Sequence, residues 1–229
     1  MFHDRALRSL RKLARHDIRD WVLTGGLAIE LRLGVEPSTR PLNDIDFIVN
    51  AFDRIPGTLA EDLIFRHIHP FDAPGKTLLQ SVDPDTAVRI DVFRAYGATI
   101  QRAAPMKLGF GTFQVTSLED LVARSARLAL DIAAGVPVPS KHARDFLRLA
   151  EWAASDDMET AWRDHRKPAH PSTFDEASRL LHELIPARPD LLITPAYSKE
   201  TEAVCPRCVP TAALQFADAN VVLGLLGYC

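Results

Sequence analysis

The pair Asp44-Ile45-Asp46, at the head of the apolar run Phe47-Ile48-Val49, constrains this chain more than any other feature of it. A strand turns successive side chains to opposite faces, so carboxylates two residues apart project together. Two bare carboxylates side by side on a half-buried strand repel each other and lose hydration. A bound divalent cation cancels both penalties. Mg²⁺, a hard ion, takes one or two carboxylates and completes its shell with phosphate oxygens and water.

An isolated Asp-x-Asp is more often a solvated strand position. Here the order of the surrounding segments matters. The short apolar run Trp21-Val22-Leu23-Thr24 ends in Gly25-Gly26, and Leu27 to Leu33 are good helix formers with Gly34 as their C-terminal stop. This opening reads strand, glycine turn, helix, preceded by an amphipathic helix over 4–16. The Asp-x-Asp strand follows about eighteen residues after the glycines. Two glycines let backbone amides approach a phosphate without a Cβ in the way, and the helix behind them offers its positive end. A third carboxylate, Asp91, lies in Val88-Arg89-Ile90-Asp91-Val92, with the apolar residues on one strand face and Asp91 on the other. If that strand neighbours the first, Asp91 joins the pair as a metal ligand and as an acceptor for the proton of an attacking hydroxyl.

Further along, the pattern predicts a helix over 59–68 and strands over 78–82 and 88–94 parted by Asp83-Pro84-Asp85. A β-rich segment over 106–116 follows. From Thr116 the character turns helical. Thr116 to Glu119 reads as a capping box opening a helix over 118–133. Ser140 precedes a helix over 141–154, and Thr173 to Glu176 opens a helix that Pro186 stops. The expected fold class is α+β. Residues 1–115 form a mixed sheet with flanking helices, 116–185 a small helical domain, and 186–229 a tail of unassigned role.

Composition removes several function classes. With 27 basic and 30 acidic residues the net charge is -3, which argues against a non-specific nucleic-acid coat protein. No apolar stretch approaches the roughly 18 to 20 residues of a membrane span. The first 19 residues lack the apolar core of a signal peptide, so a cytoplasmic protein is expected. Three cysteines do not suggest a disulfide framework. Cys205-Pro-Arg-Cys208 has zinc-knuckle spacing but no second pair, so free thiols are the simpler reading. His67 and His69 alternate on a strand pattern, and a surface position is expected for them.

The run Trp21 to Gly34 followed by Arg40-Pro-Leu-Asn-Asp44-Ile-Asp46-Phe-Ile-Val49 resembles the signature of the nucleotidyltransferase superfamily, whose fold is polymerase beta-like. Within it, the chain is most similar to the minimal bacterial branch of aminoglycoside nucleotidyltransferases and AbiEii-type toxins. Thr116-Ser-Leu-Glu-Asp-Leu121 and Pro139-Ser-Lys141-His142-Ala-Arg-Asp145 resemble second-domain elements of both groups. The likeness spans roughly residues 20 to 150, and residues 186–229 match nothing in that branch.

The resemblance implies transfer of a nucleoside monophosphate, AMP by expectation, from an NTP to an acceptor, with pyrophosphate leaving. Thr24, Gly25, Gly26, Arg40 and Lys141 would bind the nucleotide. Asp44, Asp46 and Asp91 would be the catalytic carboxylates and would hold Mg²⁺, as two ions. Asp145 would orient Lys141 or touch the acceptor. Many members carry a serine beside the glycine pair; Thr24 keeps a hydroxyl there. The acceptor would be a small molecule such as an aminoglycoside, or a tRNA or protein in a toxin-like system with a cognate antitoxin. Arg124, Arg127, Lys141, Arg144 and Arg148 favour a phosphate-bearing partner. The other reading is a catalytically silent nucleotide-binding regulator on the same fold.

Overall fold

The computed structural model describes residues 2–34, 42, 44–51, 55–68, 77–136, 141–152, 157–192 and 209–210. The expected Arg40, His69, Ser140, Cys205, Cys208 and Cys229 features lie outside the described residues. The chain divides into two compact units. One takes in the described residues of 1–96, 100–116 and 204–229; the other takes in those of 97–99 and 117–203.

The first unit is a mixed sheet with helices. It runs α1 (Phe2–Leu13), β1 (Val22–Thr24), α2 (Gly25–Leu33), β2 (Asp44–Val49), β3 (Ile64–Ile68), β4 (Thr77–Asp83), β5 (Val88–Arg94), β6 (Ala104–Leu108), β7 (Gly111–Val115) and the two-residue β8 (Val209–Pro210). The spatial order is β6-β7-β1-β2-β5-β4-β3-β8. Pairing is parallel for β1 with β7 and for β2 with β5, and antiparallel elsewhere. This is the mixed sheet with flanking helices that the resemblance implies.

Alternation fixes which residues the central strands bury. Ile45, Phe47 and Val49 of β2 and Val88, Ile90 and Val92 of β5 are all buried, and Trp21 meets Phe47 edge-on at 5.2 Å between ring centroids. The opposite face of the same two strands carries Asp44, Asp46, Arg89 and Asp91. Helix α1 buries Ala6, Leu10 and Leu13 and packs against β2 and β5; α2 packs against β1 and β2.

A buried polar network ties α1 to the turn between β4 and β5. Ser9 Oγ donates to Asp83 Oδ2 at 2.7 Å, Lys12 Nζ donates to Asp83 Oδ1 at 2.9 Å, and Arg5 donates to the Thr86 carbonyl. Asp83 is fully buried. Burial alone raises its pKa, but the hydrogen bonds from Lys12 and Ser9 outweigh that and hold it below the ordinary carboxylate range.

The second unit is helical: α3 (Leu118–Ala133), α4 (Lys141–Ala150), α5 (Met158–His165) and α6 (Phe174–Ala187). Helix α3 packs against each of the other three. Beneath its first turn, the buried Asp120 takes Ser117 Oγ at 2.8 Å and lies 3.0 Å from His165 Nε2.

Several expectations need correction. Residues 59–68 are not one helix. A 3₁₀ turn (Gly57–Glu61) gives way to strand β3, which pairs with β4. Leu59 and Leu63, both buried, have helical i, i+4 spacing, but they belong to successive elements. The β-branched and aromatic Ile64 and Phe65 then favour the ladder. The cap of α3 is Ser117, which accepts from the Asp120 amide; Thr116 instead donates its hydroxyl to the Leu23 carbonyl at 2.9 Å. The Thr173 cap is as expected, but α6 runs through Pro186 to Ala187. A proline in the last turn forfeits a single ladder bond, and Arg188 closes the helix onto Leu184 and Ile185. Helix α4 ends at Ala150, short of the expected 154, and α5 was not anticipated.

Candidate active site

The site is a polar row laid across four neighbouring strands. In register, Thr24 of β1 faces Asp46 of β2, Asp46 faces Asp91 of β5, and Asp91 faces Gln80 of β4. One step toward the N-terminal end of β2 and β5, Asp44 faces Arg89. The adjacency of β2 and β5 meets the condition that the sequence left open for Asp91. Asp44, Asp46 and Asp91 each offer an oxygen, and these oxygens all lie within 4.8 Å of one another.

Gly25 makes this row possible. Its φ of +68° is a left-handed conformation that L side chains rarely adopt. A Cβ placed there would stand 1.9 Å from Asp46 Oδ2, so the carboxylate occupies the space that any other residue would fill. Gly26 and Leu27 continue into α2, and Thr24 is buried at the cap position with an extended backbone. Thus the strand–glycine turn–helix order brings a helix N-terminal turn against the carboxylates.

The electrostatics are dominated by burial. Asp91 is 3% exposed, and its pKa is raised to about 7, with burial the largest cause. The Arg89 guanidinium pulls it down, the charges of Asp46 and Asp44 push it up, and a hydrogen bond from Gln80 pulls it down again. Arg89 Nη2 donates to Asp44 Oδ2 at 3.0 Å, and Arg89 Nε lies 2.9 Å from Asp91 Oδ2. Among the described residues, Asp91 Oδ1 accepts no hydrogen bond although it is buried. A buried carboxylate oxygen without a donor, in a cluster of three carboxylates, fits a hard divalent cation.

Arg89 and Gln80 are the site residues that the sequence reading missed. The signal for Arg89 was present: it sits two residues before Asp91 and therefore on the same face. Gln80 had no such signal, because only the strand order places it beside Asp91. Lys141 and Asp145 lie on α4 in the second unit, where Asp145 is buried and His142 Nδ1 stands 3.9 Å from its Oδ2. No described helix is long and apolar enough to cross a membrane.

No protein-family model matches the chain, and no curated protein matches it significantly by sequence. Solved structures to which the chain is similar include the antibiotic-resistance factor ANT(2'')-Ia in solution. It is 18% identical, with 84% of this chain and 96% of that one covered, at a TM-score of 0.49. A nucleotidyltransferase-like antigenic protein from Paracoccidioides brasiliensis is also 18% identical, over 82% of this chain and 87% of its own, at a TM-score of 0.41. A putative nucleotidyltransferase from H. pylori is 13% identical, over 83% and 93%, at 0.33. No residue role is carried over from them.

Proposed function

We propose that this chain is a metal-dependent nucleotidyltransferase that moves a nucleoside monophosphate from an NTP onto an acceptor hydroxyl. The observation that carries the reading is the convergence of Asp44, Asp46 and Asp91 from two adjacent strands beside the Gly25 turn. A protein that only bound a nucleotide would gain nothing from three converging carboxylates, each of which costs desolvation and repels the others.

In this reading Asp44, Asp46 and Asp91 hold Mg²⁺, as one or two ions. When bound, the metal neutralises phosphate charge and lowers the barrier to displacement at phosphorus. The chain's own groups position and exchange protons. Gly25 and Gly26 are assigned to the nucleotide's phosphates by the sequence resemblance, and the amide ends at the start of α2 favour an anion. The acceptor oxygen attacks the α-phosphorus, its proton passes to the Asp91 carboxylate, and the bond to the bridging oxygen of pyrophosphate breaks. Thr24, Arg40 and Lys141 are assigned to the nucleotide, and Asp145 to orienting Lys141 or touching the acceptor, on the strength of the sequence resemblance. Lys141 would offset the charge of the leaving pyrophosphate.

The test offers purified protein each NTP, labelled at the α-phosphate, with Mg²⁺. Aminoglycosides, total RNA and a protein lysate are supplied separately as acceptors. Transfer to one acceptor class, lost in Asp46→Asn, supports the reading and names the substrate class. Retained turnover in folded Asp46→Asn would sink the mechanism.

A further inference from the structure

Arg89 is a cation that sits among groups whose proposed task is to bind a cation. Charge alone would make it an obstacle. The geometry points another way. Its guanidinium spans two carboxylates on two strands, with Nη2 on Asp44 Oδ2 at 3.0 Å and Nε 2.9 Å from Asp91 Oδ2. Both contacts fall on the Oδ2 atoms. Asp91 Oδ1, buried, is left without a hydrogen bond among the described residues.

The Nη2 contact is a hydrogen bond, whereas Nε lies close to Asp91 Oδ2 without the alignment of one, so the planar, rigid guanidinium joins the two carboxylates by one hydrogen bond and one ion pair. The register that sets Asp44 opposite Arg89, and alternation that sets Asp91 two residues on, make this span a property of the sheet itself. A carboxylate with one oxygen drawn to a fixed cation turns that oxygen toward it and its other oxygen away.

We propose that Arg89 is a positioning residue for the metal: by hydrogen-bonding Oδ2 of Asp44 and ion-pairing with Oδ2 of Asp91, it sets the orientation of both carboxylates and leaves Asp91 Oδ1 for the ion. This rests on the reading of the triad as a metal site. It makes a prediction opposite in sign to simple electrostatics. Removing a nearby positive charge should tighten cation binding by Coulomb's law. Removing an orienting partner weakens it, by about ten- to a hundredfold where such partners of metal ligands have been changed.

The experiment measures Mn²⁺ affinity of the full chain by calorimetry at pH 8.5, where a pKa of about 7 leaves Asp91 ionised. Wild type, Arg89→Gln, Arg89→Lys and Asp46→Asn are compared, with near-ultraviolet circular dichroism to confirm folding. The expected result is binding to wild type, loss in Asp46→Asn, and binding weakened about tenfold or more in Arg89→Gln. Arg89→Lys keeps the charge but not the fork, so it should be weakened nearly as much. Equal or tighter binding in either folded Arg89 variant, with Asp46→Asn still defective, overturns the positioning role and leaves the metal site intact. Wild-type affinity in Arg89→Lys alone would assign the effect to charge and overturn it as well. No Mn²⁺ binding by any form would overturn the metal site and this inference together.

Discussion

Gly25→Ala is the substitution whose consequences the structure fixes most closely. The backbone there has φ of +68°, and placing an L residue in that region costs about 1 kcal/mol. The new methyl would also stand 1.9 Å from Asp46 Oδ2, 2.8 Å from its Cγ and 3.0 Å from its Cβ. Ordinary van der Waals contact begins near 3.4 Å, so the carboxylate has to move by about 1.5 Å. The movable end of a side chain can yield, which keeps the stability loss to about 1–2 kcal/mol, or a melting temperature lower by roughly 2–8 °C for a chain of this size. A reacting group misplaced by about 1 Å costs on the order of a hundredfold in rate. The variant should therefore stay folded and lose transfer activity by about a hundredfold or more. Gly34→Ala supplies the control: φ is +58° but nothing lies within 4 Å of the added Cβ. It should show a similar backbone cost and keep its activity. The assay pairs thermal denaturation with transfer rate for both variants. Near-wild-type rates in Gly25→Ala, or equal rate losses in the two, would refute the claim that Gly25 exists to seat Asp46.

Two further outcomes concern stability. In metal-free buffer with EDTA, unfolded Asp91 loses its proton near pH 4 while the folded protein keeps it to about pH 7. The folded state then binds the extra proton, so stability falls as pH rises through that window, by up to about 4 kcal/mol at roughly 1.4 kcal/mol per pH unit. Urea denaturation between pH 4.5 and 8 should show this fall in wild type and lose it in Asp91→Asn; parallel profiles would contradict it. Lys12→Met strips the buried Asp83 of its cation and should cost about 2–3 kcal/mol, since the lysine itself is only partly buried. Adding Asp83→Asn should recover most of that loss, and because Asp83 is held below its ordinary range, the wild-type advantage should fade as the medium turns acid.

Much of the site was legible because it is written locally. A glycine pair between strand and helix, and two aspartates at strand spacing, are short-range patterns whose meaning does not depend on the rest of the chain. Asp91 was legible as a strand carboxylate, but its partnership with Asp46 depended on β5 lying beside β2, which is a matter of sheet order. Gln80 depends on two such adjacencies and left no trace in the sequence. The misread 59–68 segment has the same origin: Leu59 and Leu63 match helical spacing, while the pairing of Ile64 and Phe65 with β4 decides the outcome. Helix α5 buries Met158, Ala161, Trp162 and His165, a helical i, i+3, i+4, i+7 stripe diluted by charged residues between them. That stripe was present in the sequence and went unread.

The central claim is that this site transfers a nucleotidyl group, and the fate of two labels tests it. ATP labelled at the α-phosphate and ATP labelled at the γ-phosphate are each incubated with the protein, Mg²⁺ and the best acceptor from the panel. Nucleotidyl transfer predicts that the α label appears on the acceptor and the γ label in pyrophosphate, with both lost in Asp46→Asn. The γ label on the acceptor, or hydrolysis that persists in folded Asp46→Asn, would contradict the account.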